Sequence, residues 1–117
     1  MTMTITQIFP ENASKATVYN LTMSPKMKQM RTLKGSRLEV AAWCIYEDTN
    51  AKTGELQPIL SIQTPEGEVF GTNSATMQAD WQRMVDVFGP GGISAIEIIS
   101  GTSKAGREYI TCSYAGE

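Results

Sequence analysis

Histidine is missing from this chain altogether. With it go the side chain best suited to proton transfer near neutral pH and the commonest nitrogen ligand for metals. Cysteine occurs only as Cys44 and Cys112, far apart and in no Cys-x-x-Cys pair, which excludes a disulfide framework and a zinc-type cysteine set. There is no Gly-x-x-x-x-Gly-Lys-Ser/Thr loop to cradle the phosphates of a nucleotide. The carboxylates Glu47, Asp48, Glu66 and Glu68 fall in or beside turns, as solvated groups do, and no two of them face an evident cleft. No apolar run reaches the length of a membrane span. The start, Met1-Thr2-Met3-Thr4-Ile5-Thr6, has neither the basic cluster nor the apolar stretch of a signal peptide. The expectation is a cytoplasmic, non-catalytic protein with no cofactor, no metal and no membrane contact.

Acid is also missing locally. Between Asn12 and Leu38 there is none, while Lys15, Lys26, Lys28, Arg31, Lys34 and Arg37 supply six of the ten basic residues. The net charge of −2 therefore conceals a basic segment on an otherwise acidic chain. Such a segment can bind phosphates, or it can be a solvated surface; the composition leaves both open. At 117 residues, with 41% of them hydrophobic, the chain is long enough for one domain with its own core.

The periodicities place elements along it. Met1–Asn12 has no clear period and reads as an arm or an extra edge strand. Ala16–Thr22 alternates and is expected as a short strand. Ser24-Pro25 is a break. Lys26–Leu33 has a helical spacing of Met27, Met30 and Leu33. Leu38–Tyr46 is a first barrel strand, with Leu38, Val40, Ala42, Cys44 and Tyr46 on one face and Trp43 and Ile45 on the other. Apolar residues on both faces indicate a coiled or bulged strand. The polar turn 47–54 leads to a second strand over Gln57–Thr64, and Thr64-Pro65-Glu66-Gly67 turns it into a third, Val69–Thr72. Ser74 is a good N-cap for a helix over Ser74–Phe88 whose stripe Met77, Trp81, Met84, Val85 and Phe88 should be buried. Gly89-Pro90-Gly91-Gly92 ends it. Strands over Ile93–Ile99 and Arg107–Tyr114 follow, joined by the loop 100–106.

Three strands, a helix and two strands is the order of an OB-fold. The fold class expected is all-β with one helix: a five-stranded antiparallel OB barrel over residues 34–116, the helix between its third and fourth strands, and an N-terminal extension over 1–33. Cys44 and Cys112 would lie on its first and last strands, close together, as reduced core thiols rather than a disulfide.

What such a barrel offers chemically is aromatics beside cations. Aromatic rings stack on any base, while Lys and Arg hold the backbone. Lys104 and Arg107 bracket the glycine-bounded loop, Tyr109 lies on the same face as Arg107, and Lys52 lies in the first turn. Trp43 and Phe70 are further candidates for stacking, although core is the ordinary role of either residue.

Several stretches resemble the small single-stranded DNA-binding proteins of phages and prophages of Gram-positive bacteria. These are Leu33-Lys34-Gly35, Ile45-Tyr46-Glu47-Asp48-Thr49-Asn50, Ile59-Leu60-Ser61-Ile62, Thr64-Pro65-Glu66-Gly67 and Gly71-Thr72-Asn73-Ser74. The sharpest is Gly101-Thr102-Ser103-Lys104-Ala105-Gly106-Arg107-Glu108-Tyr109. The resemblance runs from Leu33 to Tyr114. It implies binding of single-stranded DNA without sequence preference, in phage or plasmid replication inside a bacterial host cell. It leaves room for replication proteins as partners and for a homo-oligomer. It carries backbone contacts onto Lys104 and Arg107 and stacking onto Tyr109. The rival reading is a protein-interaction module that presents an edge strand, with Met23, Met27 and Met30 as an adaptable contact surface.

Overall fold

The computed structural model describes residues 4–49 and 52–116. Met1, Thr2 and Met3 of the expected arm, Asn50 and Ala51 of the polar turn, and the terminal Glu117 lie outside that description. The elements in chain order are β1 (Thr4–Phe9), α1 (Lys15–Thr22), β2 (Lys28–Gln29), a 3-10 turn (Met30–Leu33), β3 (Arg37–Glu39) and β4 (Ala42–Thr49). They continue with β5 (Leu56–Gln63), β6 (Val69–Thr72), α2 (Ala75–Phe88), β7 (Ala95–Thr102) and β8 (Glu108–Tyr114). One sheet has the order β1-β4-β5-β6-β2 and the other β3-β7-β8.

The segment expected as one first strand is β3 and β4, one in each sheet. The transfer happens at two residues. Val40 donates its N–H to the Ser94 carbonyl beside the smaller sheet (2.9 Å), and Ala41 donates its own to Gln63 at the end of β5 (2.8 Å). The handover also exchanges faces. Leu38 and Val40 join Trp43 and Ile45 in the main core, while Ala42, Cys44 and Tyr46 turn to the outer face of the larger sheet. The single-face assignment of Leu38 through Tyr46 is thereby corrected: an uninterrupted period of two does not survive a bend between sheets.

The main core lies between the two sheets and α2. Ile62 and Leu60 from one side meet Ile96, Ile98 and Ile110 from the other, with Trp43 and Trp81 edge to face at 5.3 Å and 74°. Ser74 caps α2: its Oγ accepts from Met77 N–H (3.2 Å) and donates to the Ile110 carbonyl on β8 (3.1 Å). Met77 and Trp81 are fully buried and Met84 and Val85 partly so, but Phe88 is 41% exposed. The stripe outruns the core at its C-terminal end, where Phe88 stacks on Tyr114 at 4.2 Å instead.

Residues Ala16–Thr22 form part of a helix, α1, not the expected strand, so the described residues hold two α-helices rather than one. The residues that suggest a strand also fit a helix, since Val18, Leu21 and Thr22 are three and four apart. The outer face of the larger sheet decides the matter by offering an apolar surface of Cys44, Tyr46 and Val69 on which Leu21 is buried. Ser14 caps α1 by accepting from Thr17 N–H (3.2 Å), and fully buried Ser61 on β5 donates to the Leu21 carbonyl (2.6 Å). Residues 4–33 are thus no appendage. β1 pairs with β4 from Thr4↔Glu47 to Phe9↔Trp43, and α1 is bonded to the sheet it covers.

The larger sheet is mixed rather than antiparallel throughout, because β2 runs parallel to β6 at Lys28↔Phe70 and Gln29↔Gly71, while the smaller sheet is antiparallel. Among the described residues no ladder joins β6 to β8, and no closed barrel is present. The free edge of the short strand β6 is occupied by β2, and the Ile110 carbonyl of β8 takes the Ser74 hydroxyl. No described helix is long and apolar enough to cross a membrane.

Candidate nucleic-acid interface

The opening between β6 and β8 is a groove of about 1070 Å³. Its floor comes from the outer face of the larger sheet, where Tyr46 and Ile59 are cross-strand partners. One wall is the segment Met27–Thr32 together with Lys34, and the other is Glu108, Tyr109 and Ile110 of β8. Gly71 lets the wall close on the floor. A Cβ there would meet the Met27 Sδ at 2.8 Å, so the thioether lies directly on the glycine backbone.

The basic segment supplies the cations. Ser24-Pro25 ends the approach from α1, β2 then pins Lys28 and Gln29 to β6, and fully buried Met30 anchors the 3-10 turn beneath. Arg31 and Lys34 are held exposed at the rim by that turn and its exit. Lys28 pairs with Glu68 and Lys34 with Glu108, both pairs about half exposed and so of the kind that contributes little and exchanges readily. Arg31 has no ion pair among the described residues. Burial pushes the Tyr46 phenol up to about 12, helped by the Asp48 carboxylate and Cys44, so the groove floor stays uncharged.

Of the residues singled out in the sequence, Tyr109 alone lines this groove, 38% exposed. Lys104 and Arg107 are exposed at the tip of the β7–β8 hairpin, adjoining the wall. The expected seven-residue loop is tighter than that. Ser103 and Arg107 close a turn in which Gly106 takes φ +81°, and Gly101 belongs to β7, paired with Tyr109. Lys52 is exposed on the connection between β4 and β5 and does not line the groove. Trp43 and Phe70 are buried in the core, 1% and 5% exposed. The Trp43 indole N–H donates to the Pro90 carbonyl (2.8 Å), leaving no ring face for a base. Both positions are withdrawn as stacking candidates: the exchange of faces at Val40–Ala41 turns Trp43 inward, and Phe70 shares that face as the cross-strand partner of Ile62, itself paired with Trp43.

Lys28, Arg31, Lys34, Tyr46 and Ile59 are the groove residues that residue-by-residue reasoning did not single out. The acid-free run from Asn12 to Leu38 carried the signal for the first three, without saying where the segment docks. The two cysteines are free and buried in separate clusters, Cys44 under α1 and Cys112 in the main core. The methionine surface of the rival reading does not form: Met30 is fully buried, Met27 packs on Gly71, and only Met23 is well exposed. No family model matches the chain, and neither does any curated protein or solved structure.

Proposed function

We propose that this chain is a non-catalytic, non-sequence-specific single-stranded DNA-binding protein, acting in phage or mobile-element DNA replication in the cytoplasm of a bacterial host. The observation that carries the reading is the groove itself, an open channel whose lining brings together the cations Lys28, Arg31 and Lys34 and the ring of Tyr109. A single strand needs those two things, phosphate partners along one side and an aromatic face for its bases. Lys104 and Arg107 at the hairpin tip extend the backbone contacts beyond the groove, and Lys52 is a further exposed cation on the β4–β5 connection.

The fold supports the reading. A strand shared between two sheets (β3 with β4), a hairpin, a helix and a second hairpin follow the order of an OB barrel, here left open between β6 and β8 and capped outside by α1. In OB-folds the corresponding face and flanking loops are where oligonucleotides lie. The replication role rests on the resemblance of the loops alone.

Both tryptophans are buried, so their fluorescence is a poor reporter of stacking. The test is the anisotropy of a dye-labelled thymine oligonucleotide titrated with the protein at low salt. Tyr109→Ala should weaken binding by about 1–3 kcal/mol, the contribution of one base–aromatic stack. No binding by the parent protein at low salt would overturn the function.

A further inference from the structure

Gly101 and Tyr109 face each other directly across the β7–β8 ladder. A Cβ on Gly101 would lie 2.5 Å from the Tyr109 Cζ and 2.6 Å from its hydroxyl oxygen, closer than any real Cβ contact. The tyrosine ring therefore lies down over the glycine rather than standing off the sheet. Gly101 does not need its glycine for a turn, since its φ is not in the left-handed region and the turn glycine of this hairpin is Gly106. In a strand, glycine is the costly choice, having more backbone freedom to lose and no side chain to pack. The three atoms nearest to where its side chain would begin all belong to the Tyr109 ring and hydroxyl. Gly71 makes a useful contrast. There the opposing group is the end of a flexible methionine that can move aside, whereas at Gly101 it is a rigid ring attached to the directly paired residue.

We infer that Gly101 is a positioning residue for nucleobase stacking: it seats the Tyr109 ring flat against the sheet, so that the opposite ring face is presented, already ordered, to a base in the groove. This rests on the single-strand-binding reading and adds to it a residue that touches no ligand. A tyrosine standing free would have to be immobilised on binding, and immobilising a side chain subtracts from affinity. Any side chain at position 101 lifts the ring and removes the platform.

The test is a four-protein cycle of parent, Gly101→Ala, Tyr109→Ala and the double variant, titrated with the same labelled thymine oligonucleotide at low salt. Gly101→Ala should weaken binding at least about fivefold, the lower end of one base–aromatic stack. In the Tyr109→Ala background the same change should alter affinity less than about twofold, as expected of residues acting through one contact. A merely structural role predicts the reverse pattern in stability. Without the ring, alanine at position 101 should raise the melting temperature, because a strand prefers it to glycine. On the parent alone, the Gly101 α-proton resonances should be shifted upfield by the ring above them and return to ordinary values in Tyr109→Ala. That measurement holds even if Gly101→Ala does not fold. Parent-like affinity in a folded Gly101→Ala, a loss that simply adds to that of Tyr109→Ala, or unshifted α-protons would each overturn the inference. If the parent binds no oligonucleotide, the function falls and the positioning role with it, while the proton shifts still report whether the ring lies where described.

Discussion

Among the described residues Arg31 is the cation of the groove that has no carboxylate partner, which makes its removal the sharpest electrostatic perturbation available. Single-stranded nucleic acid loses affinity with a slope of about −0.7 in log K against log salt for each phosphate neutralised. If Arg31 alone meets a phosphate while Lys28 and Lys34 stay with Glu68 and Glu108, the parent slope is about −0.7. If the strand displaces both carboxylates, three contacts give about −2.1, an 18-fold loss on a fourfold rise in salt. If the path also includes Lys104 and Arg107, five contacts give about −3.5, and the same rise in salt costs about 130-fold. The exposed, weak pairs at Lys28 and Lys34 favour displacement. In every case Arg31→Ala should flatten the slope by about 0.7; from the three-contact state, the loss over the fourfold rise shrinks to about sevenfold. Anisotropy titrations of a labelled thymine oligonucleotide at four or five salt concentrations read this directly. A folded Arg31→Ala variant with the parent's slope would show that the strand does not run along this wall.

Three further outcomes follow from the packing. Trp81→Ala should destabilise by about 3–5 kcal/mol in chemical denaturation, because the residue is fully buried and meets Trp43 edge to face; a loss below about 1 kcal/mol would contradict the core described above. Ser61→Ala should cost about 1–3 kcal/mol by leaving the Leu21 carbonyl without its partner, and hydrogen exchange should speed up in α1 more than in β7 and β8. Burial pushes the Cys44 thiol up to about 12, and burial followed by the Asp80 carboxylate does the same for Cys112. Between the ordinary thiol value of 9.0 and about 12 the unfolded chain binds fewer protons than the folded one, so stability should be level below the first and fall as pH rises towards the second. Urea midpoints measured across that range check the sign, and a midpoint that rises with pH there would refute it.

Much of this protein was legible in the order of its residues. Ser74 and Gly89-Pro90-Gly91-Gly92 mark the ends of α2 because capping and chain reversal are local chemistry, decided within a few bonds. The alternation of buried Ile96 and Ile98 about exposed Glu97, and the presence of a glycine-containing turn between β7 and β8 though not its tightness, depend likewise on neighbours in sequence. The acid-free run between Asn12 and Leu38 marked a cationic surface without any structure. What tertiary structure alone decided are matters of which surface meets which. Residues 16–22 carry propensities for either helix or strand, and the apolar outer face of the larger sheet selects the helix. The bend at Val40–Ala41 arises because one strand must serve two sheets, and it turns Trp43 from a candidate platform into core, on the face that Phe70 shares through β5. The pairing of β2 with β6 brings Lys28, Arg31 and Lys34 opposite Tyr109, more than seventy positions away in the chain. No local signal can specify such a juxtaposition, because it depends on where two distant edges come to lie once the core between the sheets has closed.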